Sequence, residues 1–291
     1  MKFALVANPR KYEIKSVMEA TIAWSKDKDV ELYLASEVFN NVGITGCGNL
    51  VLTESDEESI AQCDVVLVMG GDGTILYTAR ISKRENKPIL GINSGRLGFM
   101  TNTRNEEVAG ALDEVLAGNF ELDTRHYLRA MDTQGNKHYA LNEFLFTRKD
   151  STSMINIDAS FNGHFINTYW ADGLIVASPT GSTAYNLSSG GPIVAPGSDV
   201  MVVTPINPHT LTSRPLILKA DKPLNITINK QQCDVLFSFD GEVMDIIKFP
   251  FEVEIMKSKL TFQLIQLPGQ NYFDTLRKKL MWGQDSRRIK G

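Results

Sequence analysis

The sequence is poor in the features that mark several large classes of protein. Its three cysteines, Cys47, Cys63 and Cys233, are an odd number in 291 residues and form no Cys-x-x-Cys pair, which argues against a disulfide framework and against a zinc site. No apolar run approaches the ~18 residues of a membrane span. The net charge of -4 lacks the basic surplus typical of nucleic-acid binding. These absences predict a cytoplasmic protein with free thiols, no membrane partner and no nucleic-acid partner.

Several catalytic motifs are missing as well. The chain has no Gly-x-x-x-x-Gly-Lys-Ser/Thr phosphate loop, and Gly43, Gly46 and Gly48 do not have the Gly-x-Gly-x-x-Gly spacing of a dinucleotide fingerprint. There is no Gly-x-Ser-x-Gly elbow, and the four histidines show no linked aspartate pattern, which excludes the usual serine hydrolases. A nucleotide-binding function would therefore depend on a different glycine-rich turn.

Up to residue 120 the sequence alternates between short apolar runs and helical stretches. Strands are predicted over residues 3–7, 30–34, 64–69 and 88–92, and helices over residues 16–26, 74–83 and 105–117. Such alternation is typical of an α/β domain with a parallel sheet and helices on its faces. We therefore predict an α/β nucleotide-binding domain over residues 1–120.

Beyond residue 120 the pattern changes to successive strands. They are predicted over residues 127–131, 139–146, 155–161, 174–177, 216–218, 224–228, 235–239, 251–255 and 260–267, and a helix is predicted over 272–282. The pattern indicates a mostly antiparallel, all-β C-terminal domain followed by a terminal helix. We expect a β-rich domain over residues 121–269, with the helix of residues 270–291 packing back on the first domain.

The clearest apolar run leads directly into the turn Gly70-Gly71-Asp72-Gly73-Thr74. Ligands bind at the carboxyl end of parallel strands, and glycines let the backbone approach a phosphate where a helix begins. A carboxylate beside a phosphate would repel it, so Asp72 suits another task, such as accepting a hydrogen bond from a hydroxyl or steering a metal cation bound to phosphate. A plain βα turn in which Asp72 or Thr74 caps the helix is the alternative.

A second glycine-rich stretch covers residues 171–196. It contains an apolar strand and then a dense series of serine, threonine and glycine residues, which offer hydrogen bonds and close backbone approach. Tyr185 offers a flat face on which a base could stack. The stretch predicts a nucleoside site; the alternative is a polar loop with Tyr185 packed in the core.

The sequence resembles the NAD kinase family over nearly its whole length. The similar segments are GGDGT at 70–74, GINSGRLGFM at 91–100, Asn142-Glu143, DGLIVASPTGSTAYNLSSGGPIV at 172–194, TPINPHTLTSRP at 204–215 and YFDTLRKKLMWG at 272–283. The first is weakly specific, because lipid kinases and phosphofructokinases carry similar turns. The run at 172–194 is highly specific, although Ser178 stands where Thr is commoner.

The resemblance implies a kinase that transfers the γ-phosphate of Mg-ATP to the 2′-hydroxyl of the adenosine ribose of NAD, giving NADP. It also implies a homo-oligomer, a dimer or tetramer, and a divalent cation that accompanies ATP; no protein ligand of a metal is assigned. Asp72 would be the proton acceptor. The residues implied in NAD binding are Asp72, Gly73, Asn142, Glu143, Trp170, Asp172, Thr183, Ala184, Tyr185, Asn186, Leu187, Ser188 and Glu242.

Two rival functions remain at this stage. A lipid kinase with the same turn would lack the run at 172–194 and would show membrane-binding features. A non-catalytic dinucleotide sensor would keep the pocket but would not need Asp72. The last 22 residues carry six basic and two acidic side chains, which is consistent either with a solvated helix or with a contribution to polyphosphate binding.

Overall fold

A computed structural model describes residues 1–9, 13–44, 49–93, 95 and 97–282 of the chain. Cys47, the glycines at 46 and 48, two positions of the stretch 91–100 and the basic tail beyond residue 282 lie outside the described residues. The chain divides into two compact units, one of Met1–Thr124 and Phe262–Gly291, the other of Arg125–Thr261. None of the helices in the described ranges is long and apolar enough to cross a membrane.

The elements are named in chain order. Up to residue 120 they are β1 (Lys2–Ala7), α1 (Ile14–Ser25), β2 (Glu31–Ala35), α2 (Ser36–Val42), β3 (Leu50–Thr53), α3 (Asp56–Gln62), β4 (Val65–Gly70), α4 (Asp72–Ser82), β5 (Pro88–Asn93), β6 (Thr103–Arg104) and α5 (Val108–Ala117). Then follow β7 (Glu121–Asp132), β8 (Lys137–Ala140), β9 (Glu143–Arg148), β10 (Ile155–Phe161), β11 (His164–Ala171), β12 (Gly173–Ala177), α6 (Tyr185–Ser188), β13 (Val200–Ile206), β14 (Leu216–Lys219), β15 (Leu224–Ile228), β16 (Val235–Phe239), β17 (Glu242–Ile246), β18 (Phe251–Gln266) and α7 (Tyr272–Leu280).

The first unit is built on a parallel sheet. Its strands run in the order β5-β4-β1-β2-β3, and each neighbouring pair is parallel. The end of β18 and the short β6 also pair with β5 in parallel. All six residues of β4 are buried, as expected for a strand covered on both faces by helices. The predicted α/β architecture with a parallel sheet is therefore confirmed.

Local sequence explains where the helices of this unit begin and end. Ser55 caps α3 by accepting a hydrogen bond from the amide of Glu58 at 3.2 Å, which satisfies one of the N–H groups that a helix start leaves unpaired. Helix α5 ends at Gly118, whose φ of 74° lies in the left-handed region that favours glycine. The core of the unit gathers apolar side chains of the sheet, α1 and α5.

The second unit is antiparallel, as predicted. One sheet has the order β14-β13-β12-β9-β16-β17. A second set of antiparallel pairs joins β11, β10, β15 and β18, and β7 pairs with β8. Buried side chains from these strands form a large apolar cluster, and a smaller one lies between β12, β13 and Val194. At its centre the rings of Phe144 and Phe146 stack on Phe237, with centroids 5.7 and 5.1 Å apart.

Some predicted boundaries in this half are wrong. The run 139–146 is not one strand: β8 ends at Ala140 and β9 begins at Glu143, because the amides of Leu141 and Asn142 donate to the Asp240 carboxylate instead of to a ladder. The runs 251–255 and 260–267 belong to the single long strand β18. Elements α2, α3, β3, β11, β13 and β17 were not predicted at all.

Candidate active site

The glycine-rich turn joins the buried strand β4 to helix α4. Gly71 precedes the helix, Asp72 is its first residue, and no side chain in the described part of the chain caps it. A Cβ atom at Gly70 would lie 2.2 Å from Oγ1 of Thr74, so only glycine fits where the chain turns. The alternative in which Asp72 or Thr74 caps the helix is therefore wrong. The turn opens at the carboxyl end of a parallel strand, the usual place for a ligand.

The Asp72 carboxylate is held by backbone amides of a neighbouring segment. Its Oδ2 accepts from the amide of Phe99 at 2.9 Å and its Oδ1 from the amide of Met100 at 3.0 Å. A Cβ atom at Gly98 would lie 2.2 Å from Oδ1, so a glycine is required for this approach. Because each carboxylate oxygen has two lone pairs, both can still accept a hydrogen bond from a substrate. The side chain is half-buried and is fixed in one orientation.

The segment that holds Asp72 is itself anchored within the first unit. Oγ1 of Thr275, on α7, contacts Oδ1 of Asn102 at 3.3 Å, and the Lys279 ammonium lies 5.6 Å from the centre of the Phe99 ring. By contrast, Gly73 is exposed, and an added Cβ atom there would meet nothing within 4 Å. Protein packing therefore gives no reason for a glycine at residue 73, which leaves room for close approach of a ligand.

In the second unit, Asn142 and Glu143 lie at the junction of β8 and β9. The carboxylate of Asp240 accepts hydrogen bonds from the amides of Leu141 and Asn142 at 2.7 Å each, and from the amide of Glu143 at 3.3 Å. Asp240 and Gly241 have φ angles of 49° and 83°, the conformation of a tight hairpin turn. The hairpin between β16 and β17 thus fixes the backbone on which both predicted site residues stand.

Glu143 is a buried carboxyl group with an unsatisfied oxygen. Only 7% of the residue is exposed, and its Oε2 has no hydrogen-bond partner among the residues that the structure describes. Burial, and secondly the nearby charge of Asp240, raise the pKa of Glu143 to about 8. A buried polar atom without a partner is uncommon in folded proteins and calls for an explanation. A ligand that hydrogen-bonds to this oxygen is one such explanation.

The start of the second glycine-rich stretch packs against the same backbone. Ser178 donates through Oγ to the carbonyl of Leu141 at 2.5 Å, and its amide donates to the carbonyl of Asn142 at 2.8 Å. A Cβ atom at Gly181 would lie 2.2 Å from the carbonyl oxygen of Asn142. The structure therefore brings the Asn142–Glu143 junction together with the helical turn over Thr180–Thr183.

The remaining residues of the predicted NAD-binding run differ in exposure. Tyr185 is 43% exposed, so it is not packed in the core. Ser188 is also exposed, and Thr183, Ala184 and Leu187 are half-buried. Asn186 is fully buried: its amide nitrogen donates to two backbone carbonyls, and its Oδ1 accepts from Thr204 Oγ1 at 2.6 Å. The Asn186 side chain thus holds the loop in shape.

Asp172 and Trp170 lie at the opposite end of β12 from Asn142 and Glu143. Glu143 is paired with Ala177 at one end of the strand, and Gly173 at the other end directly follows Asp172. The five residues of β12 separate Asp172 from Ser178, and the six steps between these two residues correspond to roughly 20 Å at ~3.3 Å per residue. The second unit therefore does not gather all the predicted residues at one point.

The Asp172 carboxylate has partners within the protein. It accepts from Arg148 Nε at 2.7 Å and from Asn207 Nδ2 at 3.0 Å. Burial acts to raise the pKa of Asp172, but the hydrogen bonds from Asn207 and Arg148 outweigh it and lower the pKa. Trp170 is 47% exposed and lies against His209, with ring centroids 4.2 Å apart. Glu242 is exposed at the start of β17, just after the Asp240–Gly241 turn.

Sequence reasoning missed the residues that position the site. Asp240 could have been found from the Asp-Gly dipeptide between two strand-like runs, a strong hairpin signal. The donors to Asp72 are backbone amides, which leave no residue-specific signal. Within the described ranges, no group of three or more His, Cys, Asp or Glu side chains is placed to hold a metal ion.

Two family models together match most of this chain. The model of the ATP-NAD kinase N-terminal domain matches residues 3–120, and that of the ATP-NAD kinase C-terminal domain matches residues 141–267. An NAD kinase of Cytophaga hutchinsonii is 35% identical over 99% of this chain and 100% of its own length. An NAD kinase of Bacteroides fragilis is 35% identical over the same shares, 99% and 100%.

Two solved structures share the fold. Yeast NADH kinase, complexed with NADH, superimposes with a TM-score of 0.89 at 23% identity, covering 98% of this chain and 89% of the yeast chain. An NAD kinase from Archaeoglobus fulgidus, in complex with ATP, gives a TM-score of 0.71 at 24% identity, covering 97% of this chain and 99% of the other.

Proposed function

This chain belongs to the NAD kinase family and uses ATP to phosphorylate NAD, and we propose that its Asp72 carboxylate accepts the proton of the acceptor hydroxyl. The acceptor is the 2′-hydroxyl of the adenosine ribose, and the product is NADP. The observation that carries the proposal is the fixed orientation of the Asp72 carboxylate, which accepts from the amides of Phe99 and Met100 at the end of β4. A carboxylate held in this way can orient a hydroxyl without reorganising during the reaction.

The proposed reaction is a direct displacement. The ribose hydroxyl oxygen attacks the γ-phosphorus of ATP, the bond from that phosphorus to the bridging oxygen breaks, and ADP leaves. The hydroxyl proton passes to Asp72. Phosphoryl transfer depends mainly on alignment and on neutralisation of charge, so a half-buried carboxylate of fixed orientation serves chiefly to hold the nucleophile in line.

The divalent cation enters as part of the Mg-ATP substrate. Magnesium is usually held by one or two carboxylates together with substrate phosphates rather than by a cage of protein ligands. Asp72 is the carboxylate in the glycine-rich turn that could add a contact to a cation carried by the phosphates.

We assign NAD recognition mainly to the second unit. The unsatisfied Glu143 carboxyl and the adjacent Asn142 would bind hydroxyl or base groups of the dinucleotide. Tyr185 would stack on a ring, and Thr183 and Ser188 would supply hydroxyls. The further assigned contacts are Gly73, Trp170, Asp172, Ala184, Leu187 and Glu242. Asn186 would contribute its backbone, because its side chain is used within the loop.

In terms of domains, we propose that residues 1–120 form the nucleotide-binding domain, with the helix of 270–291 packed on it, and residues 121–269 the NAD-binding domain. We also propose a homo-oligomer, a dimer or tetramer. The observation that supports an oligomer is that Trp170 and Asp172 lie far from Glu143 within one chain. A second copy could bring its own Trp170 and Asp172 to the Glu143 of the first. Cys63 and Cys233 are free, which supports a cytoplasmic location.

The function is tested by incubating the purified protein with NAD and Mg-ATP and reading the product with a dehydrogenase specific for NADP. Because such a dehydrogenase requires the phosphate on the 2′-oxygen, the assay reports both the transfer and its position. Steady formation of NADP that requires both ATP and magnesium is expected. Absence of NADP after prolonged incubation with folded protein would contradict the proposal.

A further inference from the structure

We propose that Asp240 is a positioning residue for NAD recognition, which acts by fixing the backbone of Leu141, Asn142 and Glu143 and thereby the Glu143 carboxyl. The inference rests on the proposed function, since it takes Glu143 to be a contact of the dinucleotide. Asp240 lies almost one hundred residues after this segment in the sequence, and no motif that assigned the site residues includes it.

Several hydrogen bonds join Asp240 to the segment of residues 141–143. One carboxylate accepts from three successive amides, at 2.7, 2.7 and 3.3 Å. In return, the amide of Asp240 donates to the carbonyl of Glu143 at 3.2 Å. Hydrogen bonds to an ionised acceptor are short and roughly twice as strong as neutral ones. Asp240 therefore determines where β8 stops, where β9 starts and which way the intervening residues face.

Asp240 also sets the electrostatic environment of Glu143. Burial, followed by the charge of Asp240, raises the pKa of Glu143 to about 8, so the Glu143 carboxyl is mainly protonated at neutral pH. Asp240 also acts on Tyr127: burial, and secondly the Asp240 charge, raise the pKa of Tyr127, so this side chain adds no charge. The Asp240 carboxylate is itself hydrogen-bonded by the three amides that donate to it.

A protonated Glu143 suits a dinucleotide ligand. The hydroxyl and base groups of the dinucleotide offer both donors and acceptors, so they are matched by a partner that can donate as well as accept. A neutral carboxyl group has one O–H donor and retains acceptor capacity, so Glu143 can both donate to the ligand and accept from it. Asp240 thus supplies order through its hydrogen bonds, and its charge adds to the effect of burial, which raises the pKa of Glu143 most.

The test compares Asp240→Asn with the control Asp132→Asn. Asparagine tolerates the positive φ of residue 240, so the turn can be kept. Asp132 also accepts two backbone amides in a hairpin turn of the second unit, from Gln134 and Asn136 at 2.9 Å each, but it lies in the β7–β8 hairpin and is assigned no role in binding. We expect Asp240→Asn to raise KM for NAD about tenfold with little change in kcat, and Asp132→Asn to change neither.

The pH dependence of NAD affinity distinguishes positioning from mere stabilisation. In the wild-type protein the affinity should fall as the pH rises through about 8, because Glu143 loses its proton. In Asp240→Asn this fall should move to lower pH, since one cause of the raised pKa is gone. In Glu143→Gln, which cannot ionise, the fall should disappear.

The possible outcomes separate the inference from the proposed function. If Glu143→Ala raises KM for NAD while Asp240→Asn behaves like Asp132→Asn, the inference fails and the NAD-binding role of Glu143 stands. If Glu143→Ala leaves KM unchanged, both the inference and the assignment of Glu143 fail. Should Asp240→Asn not fold, Asp240→Glu is measured in its place, because it keeps the charge but moves the carboxylate relative to the three amides: a raised KM for NAD with an unchanged kcat supports the inference, and a wild-type KM overturns it.

Discussion

Asp72 and Glu143 are the two acidic residues to which we assign the main roles, and their surroundings differ. The Asp72 carboxylate accepts two backbone amides and is half-buried. Glu143 is buried, lies beside the charge of Asp240 and has one oxygen without a partner among the described residues. The Asp72 carboxylate is therefore held in one orientation by its donors, whereas burial and the charge of Asp240 disfavour the anion of Glu143. The difference shows that Asp72 is suited to orienting a reacting hydroxyl and Glu143 to exchanging hydrogen bonds with a ligand.

Of the substitutions that test this difference, Gly98→Ala is expected to have the largest effect, which is on kcat. The new Cβ atom would lie 2.2 Å from Oδ1 of Asp72, so the carboxylate must move although its residue is unchanged. Misplacement of a catalytic group by about 1 Å can cost roughly 10²-fold in rate. We expect a fall of that order in kcat, measured with the NADP-coupled assay, and little change in NAD affinity.

The matched control for that substitution is Gly110→Ala. Gly110 lies within α5 and an added Cβ atom there meets nothing within 4 Å, so alanine should stabilise the helix by up to about 1 kcal/mol. Its kcat should equal that of the wild-type protein. A normal kcat in Gly98→Ala would mean that the segment of residues 98–100, which holds the Asp72 carboxylate, does not govern the reaction.

The next effect is on stability, where the two acids should respond with opposite sign. In Asp72→Asn the side-chain NH2 would face one of the two amide donors, which costs about 1–3 kcal/mol. In Glu143→Gln an unfavourable buried charge is removed, and we expect a gain on the order of 4–5 kcal/mol above pH 8. Thermal unfolding of the two variants in the absence of NAD measures both changes.

The raised pKa of Glu143 determines whether the unfolding free energy rises or falls with pH. Its pKa is raised on folding from 4.5 to about 8, so its contribution to stability is fully present below pH 4.5 and is lost as the pH rises through about 8. Unfolding free energy of the wild-type protein should fall over this window more steeply than that of Glu143→Gln. Parallel curves would show that Glu143 is not the group responsible.

The smallest effect is expected at Tyr185. Loss of base–aromatic stacking weakens binding by about 1–3 kcal/mol, and we expect the lower end because Tyr185 is 43% exposed. Tyr185→Ala should therefore weaken NAD affinity in calorimetry while stability and the rate at saturating NAD stay unchanged. Phe273→Ala, a change at a 60% exposed ring in the first unit, is the control. Equal NAD affinities in the two variants would remove Tyr185 from the site.

Much of this arrangement was predictable from the sequence, because it follows from local patterns. The apolar run before Gly70 predicts β4, and strands β15 and β16 have the predicted limits. The alternation of strands and helices up to residue 120, and its loss afterwards, predicts the two fold types. These features depend on residue periodicity, which the sequence displays directly.

The rest depended on contacts between distant parts of the chain. The amides that hold Asp72 belong to residues 99 and 100, and a backbone donor has no distinctive side chain. The break between β8 and β9 is caused by Asp240, which no local pattern near residue 141 indicates. Strand β13 contains Pro205 opposite Leu174, and a proline in a run argues against a strand.

The central claim is that Asp72 carries the chemistry and the Asn142–Glu143 junction carries NAD binding. The most direct test is the single-turnover rate of phosphate transfer at saturating NAD and Mg-ATP for the wild-type protein, Asp72→Asn and Glu143→Ala, repeated over a series of magnesium concentrations. We predict that Asp72→Asn loses about 10²–10⁴-fold in rate at every magnesium concentration, and that Glu143→Ala recovers the wild-type rate once NAD saturates. A near-normal rate in Asp72→Asn, or a rate restored by added magnesium, would contradict the claim.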